Sequence, residues 1–360
     1  MPEDTLVSDH FAIPETQKAW RVVRKGLPSK ALHLNEKTPV KTDLAKGEVL
    51  VKVEAAALNP VGYKMMGIVP AFVAKFPQTA EYDFSGVVVN GNGTEFKNGQ
   101  EVFGSIFGDA KSKSHEGALA QFVAVPAANI VERPANISPT GAAGLAMVGL
   151  TAHQAIFDIG KLEPGMSIFI NGGSTAVGAS AIQFARAIGC KITVAASGQH
   201  EDFVKSLGAD VFIDYTKEPV HRALEQNPPE PKFHLILEAV GNIDLPLYTH
   251  SEKYLAPGGI FVSVMPQPDG LFDTPHLFRY YFEALLRPTW LGGTNRKWKA
   301  VMVKVDKEDL KTIATMVEEG KFRPVVDSVF SFEDTLKAYD RIMTKHTAGK
   351  VVVKVEPDVE

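Results

Sequence analysis

The sequence predicts an α/β fold in which a doubly wound parallel sheet is joined to a unit made mainly of short strands. From Ser167 onward, apolar strand-like segments alternate with helical ones, which is typical of a parallel sheet covered on both faces. Over roughly the first 130 residues, short strand-like segments are separated by Gly, Asn and Pro turns, as in a β-barrel or sandwich. A last strand-like segment, Gly349–Val355, suits a return of the chain to that first unit.

The elements of the first region follow from alternation and turn residues. Residues 1–17 carry scattered charges and two prolines without periodicity, so we expect a flexible N-terminal arm. Val49–Ala57 alternates apolar and polar side chains, which predicts a strand with one buried face. Further short strands are predicted at Ala19–Val23, Gly86–Val89, Glu101–Phe103 and Ala120–Val125. Near Ser138 the pattern changes, and the Ala-rich segment Thr140–Ile159 has helical spacing.

The second region alternates strands and helices. Strands are predicted at Ser167–Asn171, Lys191–Ala196, Val211–Ile213, Phe233–Leu237 and Gly259–Met265. Helices are predicted at Val177–Ile188, Asp202–Leu207 and Leu245–Tyr254. After Leu291 the alternation ends, and amphipathic helices are predicted at Lys307–Glu319 and Phe332–Lys345.

Length and composition exclude several classes of protein. A chain of 360 residues predicts two domains, since a domain has about 150 residues. The hydrophobic share of 45% and the charged share of 22% exclude disorder, collagen and coiled coil. With 38 Lys and Arg against 42 Asp and Glu, the net charge is −4, so no nucleic-acid partner is expected.

Cysteine content and hydropathy indicate a soluble intracellular protein. The single cysteine, Cys190, excludes a disulfide framework and a Cys-rich zinc site. No apolar run approaches the ~18 residues of a membrane span, and the start of the chain is polar and acidic, unlike a signal peptide. We therefore expect a cytoplasmic protein; the oligomeric state stays open.

A glycine-rich segment, Asn171–Gly178, stands between a predicted strand and a predicted helix. That context is the one in which such a loop binds the pyrophosphate of a dinucleotide, because the helix N-terminus offers unpaired amides and partial positive charge. The predicted contacts come from Gly172, Gly173, Ser174, Thr175, Ala176, Val177 and Gly178. Glycine allows the tight turn, Gly178 allows close packing of helix on strand, and the Thr175 hydroxyl is a further candidate for phosphate binding. The alternative is an ordinary strand-to-helix turn.

The tip of the second strand of this unit bears on the type of cofactor. An acidic residue there would bind the ribose hydroxyls of NAD, but the sequence has Ala195–His200 without a carboxylate. Nothing at this tip repels a 2′-phosphate, and Ser197 and His200 can donate hydrogen bonds to it, with Tyr215 as a further candidate. The sequence therefore favours NADP(H). The alternative is a polar loop without a ligand.

Six motifs occur in an order that resembles the medium-chain dehydrogenase/reductase superfamily. They are Leu58–Val61, Glu81–Gly86, Gly117–Phe122, Gly172–Gly178, Leu255–Gly259 and Gly349–Val352. Within it, the chain is similar to the zinc-independent quinone oxidoreductase and enoyl reductase branch, especially the fungal trans-acting enoyl reductases. The resemblance implies a Rossmann domain, residues 146–291, inserted into a GroES-like β-barrel catalytic domain formed by residues 18–145 and 292–360. The nicotinamide would then lie in the cleft between the domains.

The resemblance implies a reductase that uses NADPH and no metal. Such an enzyme transfers hydride to an activated C=C bond of an enone or enoyl thioester, or to a quinone; the sequence does not separate these substrates. Lys64 would polarise the carbonyl or deliver a proton, Tyr63 is a second proton donor, and Asn59 would position the substrate or the carboxamide. The alternatives are a solvated Lys64, a half-buried packing Tyr63 and a turn-capping Asn59.

Further assignments complete the predicted site. Thr151, Val240 and Gly241 are expected near the nicotinamide, and Lys350 near the cofactor phosphates or in solvent. Asp83, an acid in an apolar strand, is expected to accept hydrogen bonds from backbone amides.

Two questions about function stay open in the sequence. A carrier-protein partner would need a basic docking patch, for which Arg296, Lys297 and Lys299 are the candidates. A different hypothesis is a non-catalytic NADPH-binding protein that acts as a redox-responsive partner or a stress protein.

Overall fold

The computed structural model describes residues 12–69, 76–241, 245–265 and 274–359. Among these, one compact unit, unit 1, comprises the residues up to 147, residues 304–319 and those from 326 onward. Unit 2 comprises residues 148–303 and 320–325. Both ends of the described chain therefore belong to unit 1, and the sequence of unit 2 is inserted between them.

The elements are numbered in chain order. The strands are β1 (Thr16–Val22), β2 (Leu32–Pro39), β3 (Glu48–Ala57), β4 (Gln78–Thr79), β5 (Asp83–Asn90), β6 (Glu101–Ser105), β7 (Phe122–Pro126), β8 (Ile130–Glu132), β9 (Ser167–Asn171), β10 (Lys191–Ala196), β11 (Val211–Asp214), β12 (Phe233–Glu238), β13 (Leu255–Val264), β14 (Lys297–Val301), β15 (Val326–Ser331) and β16 (Lys350–Lys354). The helices are α1 (Pro28–Ala31), α2 (Pro60–Ile68), α3 (Asp109–Ser114), α4 (Pro139–Ala143), α5 (Ala146–His153), α6 (Ala176–Ala187), α7 (Glu201–Leu207), α8 (Val220–Gln226), α9 (Leu245–Thr249), α10 (Thr274–Tyr281), α11 (Lys307–Glu318) and α12 (Thr335–Met343).

Unit 1 is built on a mostly antiparallel sheet with the order β15-β16-β3-β5-β6-β8, in which β7 also pairs with β3. The C-terminal strand β16 runs antiparallel to β3, with Val352 opposite Ala57, so the expected return of the chain to the first unit is confirmed. Alternation in β3 places Val51 and Val53 in the core. The predicted N-terminal arm differs, since β1 already begins at Thr16 while residues 1–11 lie outside the described residues.

A second sheet of unit 1 has the order β2-β1-β4. The sequence did not predict β2, because most of its side chains are exposed and the exposed Glu36 interrupts the alternation of Leu32, Leu34 and Thr38. The indole of Trp20 on β1 donates a hydrogen bond of 2.8 Å to the carbonyl of Phe332. This bond joins the N-terminal sheet to the segment that precedes α12.

Unit 2 contains a parallel sheet with the order β11-β10-β9-β12-β13-β14, which confirms the predicted α/β architecture. β9 and β10 have the predicted bounds, and their residues are almost all buried, as expected for central strands. The unit extends further along the chain than the predicted boundary at residue 291. The reason is β14, whose Trp298 is buried and pairs with Phe261 in this sheet.

Two predicted helices are interrupted in the structure. The segment Thr140–Ile159 forms α4 and α5, separated near Gly144, and then a π-helical turn at Gln154–Ile159. The predicted helix Leu245–Tyr254 consists of α9 and a separate 3₁₀ turn at Ser251–Lys253. Among the described helices, none has the length and apolar character that a membrane span requires.

Replacement of Phe184 tests the packing of unit 2. This buried ring of α6 lies 4.8 Å from the Phe322 ring and 6.2 Å from the Phe157 ring, measured between centroids. Phe184→Ala should lower the free energy of unfolding by about 3–5 kcal/mol, because it leaves a cavity in a packed core. The matched control is Phe278→Ala, whose ring is 73% exposed. Equal losses of stability in urea titrations of the two variants would contradict this assignment.

Candidate functional site

The loop after β9 depends on glycine at three positions. Gly172 has φ = +82°, in the left-handed region that side chains disfavour. A Cβ at Gly173 would lie 2.0 Å from Cγ1 of Val194, and one at Gly178 would lie 2.2 Å from the carbonyl oxygen of Gly172. These positions accept no side chain, so the loop is held tightly against β10 and against the start of α6.

Thr175 is the N-cap of α6, and its hydroxyl is engaged within unit 2. The Oγ1 atom accepts a hydrogen bond of 3.0 Å from the amide of Gly178 and donates one of 3.3 Å to the carbonyl of Ala239. In this conformation the single donor of this hydroxyl is committed to Ala239, and its binding to phosphate stays a prediction. Its physical role is to cap the helix.

The loop amides fall into two groups, those bonded within the turn and those at the start of α6. Gly172 and Gly173 both donate to the carbonyl of Ala195, at 3.0 and 2.9 Å, and so fix the turn. Ala176 and Val177 begin α6, and the first amides of a helix have no acceptor within it. Both residues and the preceding Ser174 are half-buried. The start of a 12-residue helix that follows a glycine-rich turn fits the pyrophosphate of a dinucleotide.

The turn after β12 lies against this loop. Glu238, which is buried, accepts the amides of Val240 and Gly241 at 2.9 and 3.1 Å through its two carboxylate oxygens. Val240 is so near the loop that a Cβ on Gly172 would lie 2.5 Å from its Cγ2 atom. The structure thus brings the turn with the predicted Val240 and Gly241 to the loop after β9. The sequence analysis missed Glu238, although an acid that ends an apolar strand just before a glycine turn was a usable signal.

The carboxyl ends of β10 and β11 bring three predicted residues to one edge of the sheet. Ser197 and His200 bound a 3₁₀ turn after β10, and both are half-buried. Tyr215 follows β11, is 48% exposed, and donates its amide to the carbonyl of Ala196 at 3.2 Å. Thr151, also predicted to contact the cofactor, is buried within α5 of the same unit.

Asp214 is an acidic residue at this edge that the sequence analysis missed. It ends β11 opposite Ala196, and a Cβ on Gly198 would lie 2.5 Å from its Oδ2 atom. Hydrogen bonds from the hydroxyl and amide of Thr216 hold the pKa of this carboxyl below its usual range. Lys217 lies 3.8 Å from the same carboxylate and balances its charge. The tip of β10 has no carboxylate of its own, but the Asp214 carboxylate of the neighbouring strand β11 borders it.

A cavity of about 550 Å³ is lined by residues of β9 to β12 in unit 2. Asp214 and Lys217 line one part of it, and Ser167 and Phe233 line another. None of the loop residues 171–178 lines this cavity, so it is distinct from the candidate pyrophosphate site.

Unit 1 contains a buried polar cluster formed by Asn59, Asp83 and Lys350. The Lys350 ammonium donates to Oδ1 of Asn59 at 2.7 Å and to Oδ2 of Asp83 at 3.2 Å. The Asn59 amide nitrogen also donates to Oδ2 of Asp83 at 3.0 Å. All three side chains are buried, with at most 4% of each residue exposed.

This cluster bears on three predictions. Lys350 does not face solvent, because its buried ammonium pairs with the carboxylate of Asp83; its contact with the cofactor stays a prediction. Asp83 accepts hydrogen bonds from side chains rather than from the backbone amides expected. Asn59 is the N-cap residue of α2 but does not cap it through its side chain, whose amide group contacts Asp83 and Lys350. Its role toward a ligand stays a prediction.

Glu81 lies beside this cluster and is also buried. Its Oε1 accepts a hydrogen bond of 2.6 Å from the hydroxyl of Tyr339, and its Oε2 accepts one of 3.1 Å from the backbone amide of Asn59. Burial raises the pKa of Glu81 to about 7, against the opposing effect of these hydrogen bonds. Burial likewise lowers the pKa of Lys111 to about 8; its ammonium donates to backbone carbonyls, including that of Glu116 at 3.0 Å.

The helix α2 carries the two remaining predicted residues. Tyr63 and Lys64 are half-buried in its middle, and Tyr63 packs against the core of unit 1. Lys64 is therefore not the fully solvated lysine of the alternative interpretation. The preceding residue, Gly62, faces Glu81 so closely that a Cβ there would lie 2.1 Å from Oε1.

Glu81→Gln tests the titration of this buried carboxyl. Between pH 4.5 and 7, folded wild type keeps a proton on Glu81 that the unfolded chain releases, so wild-type stability falls as the pH rises. Glutamine does not titrate. The free energy of unfolding of the variant relative to wild type should therefore rise by about 2 kcal/mol from pH 5 to pH 8. Urea titrations at both values measure it; a pH-independent difference would contradict the raised pKa.

Comparison with protein families matches both units. The alcohol dehydrogenase GroES-like domain matches residues 45–135, and the zinc-binding dehydrogenase family matches residues 207–353. The second name implies zinc, but the residues do not fit it. The thiol of Cys190 is buried and donates to the carbonyl of Glu163 at 3.2 Å. Within the described ranges, no three His, Cys, Asp or Glu side chains form a group that could hold a metal ion.

Individual relatives match almost the whole chain. Trans-enoyl reductase pgmF of Aspergillus terreus is 35% identical over 359 residues, covering 96% of this chain and 98% of the relative. Quinone-oxidoreductase QR1 of Triphysaria versicolor is 29% identical and covers 86% of this chain and 90% of the relative. The structure of the quinone oxidoreductase from Coxiella burnetii superposes with a TM-score of 0.77 at 27% identity, covering 94% of this chain and 99% of that one. The chain belongs to the medium-chain dehydrogenase/reductase superfamily, a family of oxidoreductases that bind nicotinamide cofactors.

Proposed function

We propose that the chain is an NADPH-dependent, zinc-independent reductase of an activated C=C bond, in an enone or enoyl thioester, or of a quinone. The observation that carries the proposal is the loop between β9 and α6, where Gly178 has no room for a side chain and the first amides of the helix have no acceptor within the helix. Relatives named for enoyl reduction and for quinone reduction support the two substrate classes.

Unit 2 would hold the cofactor through backbone amides and a few side chains. The amides of Ser174, Ala176 and Val177 would bind the pyrophosphate. The side chains of Ser197, His200 and Tyr215 would donate to the phosphate on the adenosine ribose, and Val240 and Gly241 would border the nicotinamide, with Thr151 as a further contact. When bound, the reduced nicotinamide supplies a hydride.

The chain must stabilise the negative charge that develops on the substrate oxygen and provide a proton. In enone reduction the β-carbon gains hydride, the carbonyl oxygen becomes an enolate oxygen, and the α-carbon then takes a proton. A preorganised donor at such an oxygen is worth ~10²–10³ in rate. Lys64 would donate to it. Tyr63, the preceding residue of α2, is the second candidate donor.

A substrate tethered to a carrier protein would need a basic surface. Of the three candidates, Lys297 and Lys299 are exposed on β14. The Arg296 guanidinium is half-buried and donates to the carbonyl of Leu255 at 2.9 Å. The two lysines are therefore the residues that such a partner would contact.

Ser197→Ala and His200→Ala test the assignment of NADPH. Loss of one hydrogen bond to a charged group costs about 1.5 kcal/mol, so each variant should raise the Kd for NADPH about tenfold. The Kd for NADH should not change, because NADH lacks the 2′-phosphate. Gln226→Ala, an exposed residue at the end of α8 in the same unit, is the matched control. Fluorescence titrations measure both constants; equal losses for the two nucleotides would refute the phosphate contact.

Lys64→Ala tests the catalytic proposal. With the best substrate from a panel of enones, enoyl thioesters and quinones, kcat should fall ~10²–10³-fold while the Kd for NADPH stays constant. The control Lys46→Ala removes an exposed lysine of the same unit. Unchanged kcat in Lys64→Ala would exclude this role. NADPH binding without turnover on any substrate would favour the non-catalytic protein instead.

A further inference from the structure

Glu81 has a backbone conformation that side chains disfavour. Its φ is +60°, in the left-handed region, although it is neither glycine nor asparagine. Its carbonyl accepts a hydrogen bond of 3.2 Å from the amide of Ala118, which fixes this conformation. The residue is 1% exposed, so a carboxylate has been removed from water at a strained position. Such outliers occur most often where the side chain has a particular task.

The carboxylate of Glu81 binds the start of α2. Pro60 is the first residue of this helix, and the amide of Asn59 before it donates to Oε2 at 3.1 Å. Asn59 does not cap α2 with its side chain, which is directed to Asp83 and Lys350. Glu81 therefore supplies, from a separate segment, an acceptor and a negative charge at the N-terminus of this helix.

The first turn of α2 also packs directly on the same carboxylate. A Cβ on Gly62 would lie 2.1 Å from Oε1, so only glycine allows this approach. Tyr63 and Lys64 follow immediately. Any movement of the carboxylate would accordingly move the backbone from which both side chains extend.

We propose that Glu81 is a positioning residue, which holds the N-terminus of α2 and thereby sets the placement of Tyr63 and Lys64. This inference rests on the proposed function, in which these two residues act on the substrate. Glu81 itself touches neither substrate nor cofactor in this account. Its hold on α2 is stronger when it is ionised, because a charged acceptor makes a stronger hydrogen bond.

The groups around Glu81 determine its titration. Tyr339 from α12 donates to it, and the positive charges of Lys350 from β16 and Lys111 from α3 favour its charged form. Tyr82 is adjacent, and burial together with the charges of Glu81 and Asp83 raises its pKa beyond the working range. Burial of Glu81 outweighs the favourable groups and places its pKa near neutrality. The placement of α2 should therefore depend on pH between about 6 and 8.

Hydrogen exchange on the full chain measures the hold on α2 without any substrate. In Glu81→Gln, amides of residues 59–68 should lose protection about tenfold at pH 8, and amides of unit 2 should keep theirs. Tyr339→Phe should show a smaller loss in the same segment, because it removes one hydrogen bond and keeps the charge. Glu116→Gln is the matched control, another carboxyl of unit 1 whose pKa is raised by burial. Unchanged exchange in residues 59–68 of both Glu81→Gln and Tyr339→Phe would overturn the proposal.

Steady-state kinetics separates positioning from a general loss of stability. In Glu81→Gln, kcat should fall about tenfold with KM and the Kd for NADPH unchanged, and the rise of kcat between pH 6 and 8 should disappear. A persistent rise would overturn the role of Glu81. If wild type turns over no substrate of the panel, the proposed function fails, while the exchange measurement still decides whether Glu81 holds α2.

Discussion

Buried charge in unit 1 requires the two ends of the described chain to meet. Glu81 and Asp83 carry carboxyl groups into an apolar sheet, where an unpaired charge would cost several kcal/mol. Their partners come from the far end of the sequence, since Tyr339 donates to Glu81 and Lys350 to Asp83. Unit 1 is thus completed by strands and helices from both ends of the chain, and the sequence of unit 2 is an insertion within it.

A different constraint shapes unit 2. Its loop after β9 is tight because Gly173 and Gly178 bring backbone into contact with β10 and α6 where a Cβ would clash. This tight packing places the start of α6 directly after the loop, and the turn held by Glu238 lies against the loop. The glycines that allow this close packing also leave the helix start without a covering side chain at those positions. The loop therefore supports the proposal that it binds a cofactor.

Local sequence patterns predicted the parallel sheet well and the roles of single polar residues poorly. The bounds of β9 and β10 follow from short apolar runs between turn residues, which need no knowledge of distant segments. Lys350 shows the limit, because its partners Asn59 and Asp83 lie nearly the whole chain away.

The same limit applies to the candidate site. The hydroxyl of Thr175 donates to Ala239 from a distant segment, and the acid beside the β10 tip, Asp214, comes from the next strand. The sequence drew attention to Glu81 only through the nearby acid Asp83. The contact of Glu81 with α2 depends on the tertiary structure. The strand–loop–helix pattern was local and could be predicted, whereas the charge pairs that surround it could not.

The most direct test of the account is to follow the hydride. Wild-type protein would be incubated with an enone that it reduces and with NADPH carrying deuterium at C4, each face labelled in turn, and the product analysed by mass spectrometry and NMR. The account predicts one deuterium on the β-carbon from one of the two labelled faces, with the α-hydrogen taken from water. A reduced product without deuterium from either face would contradict it.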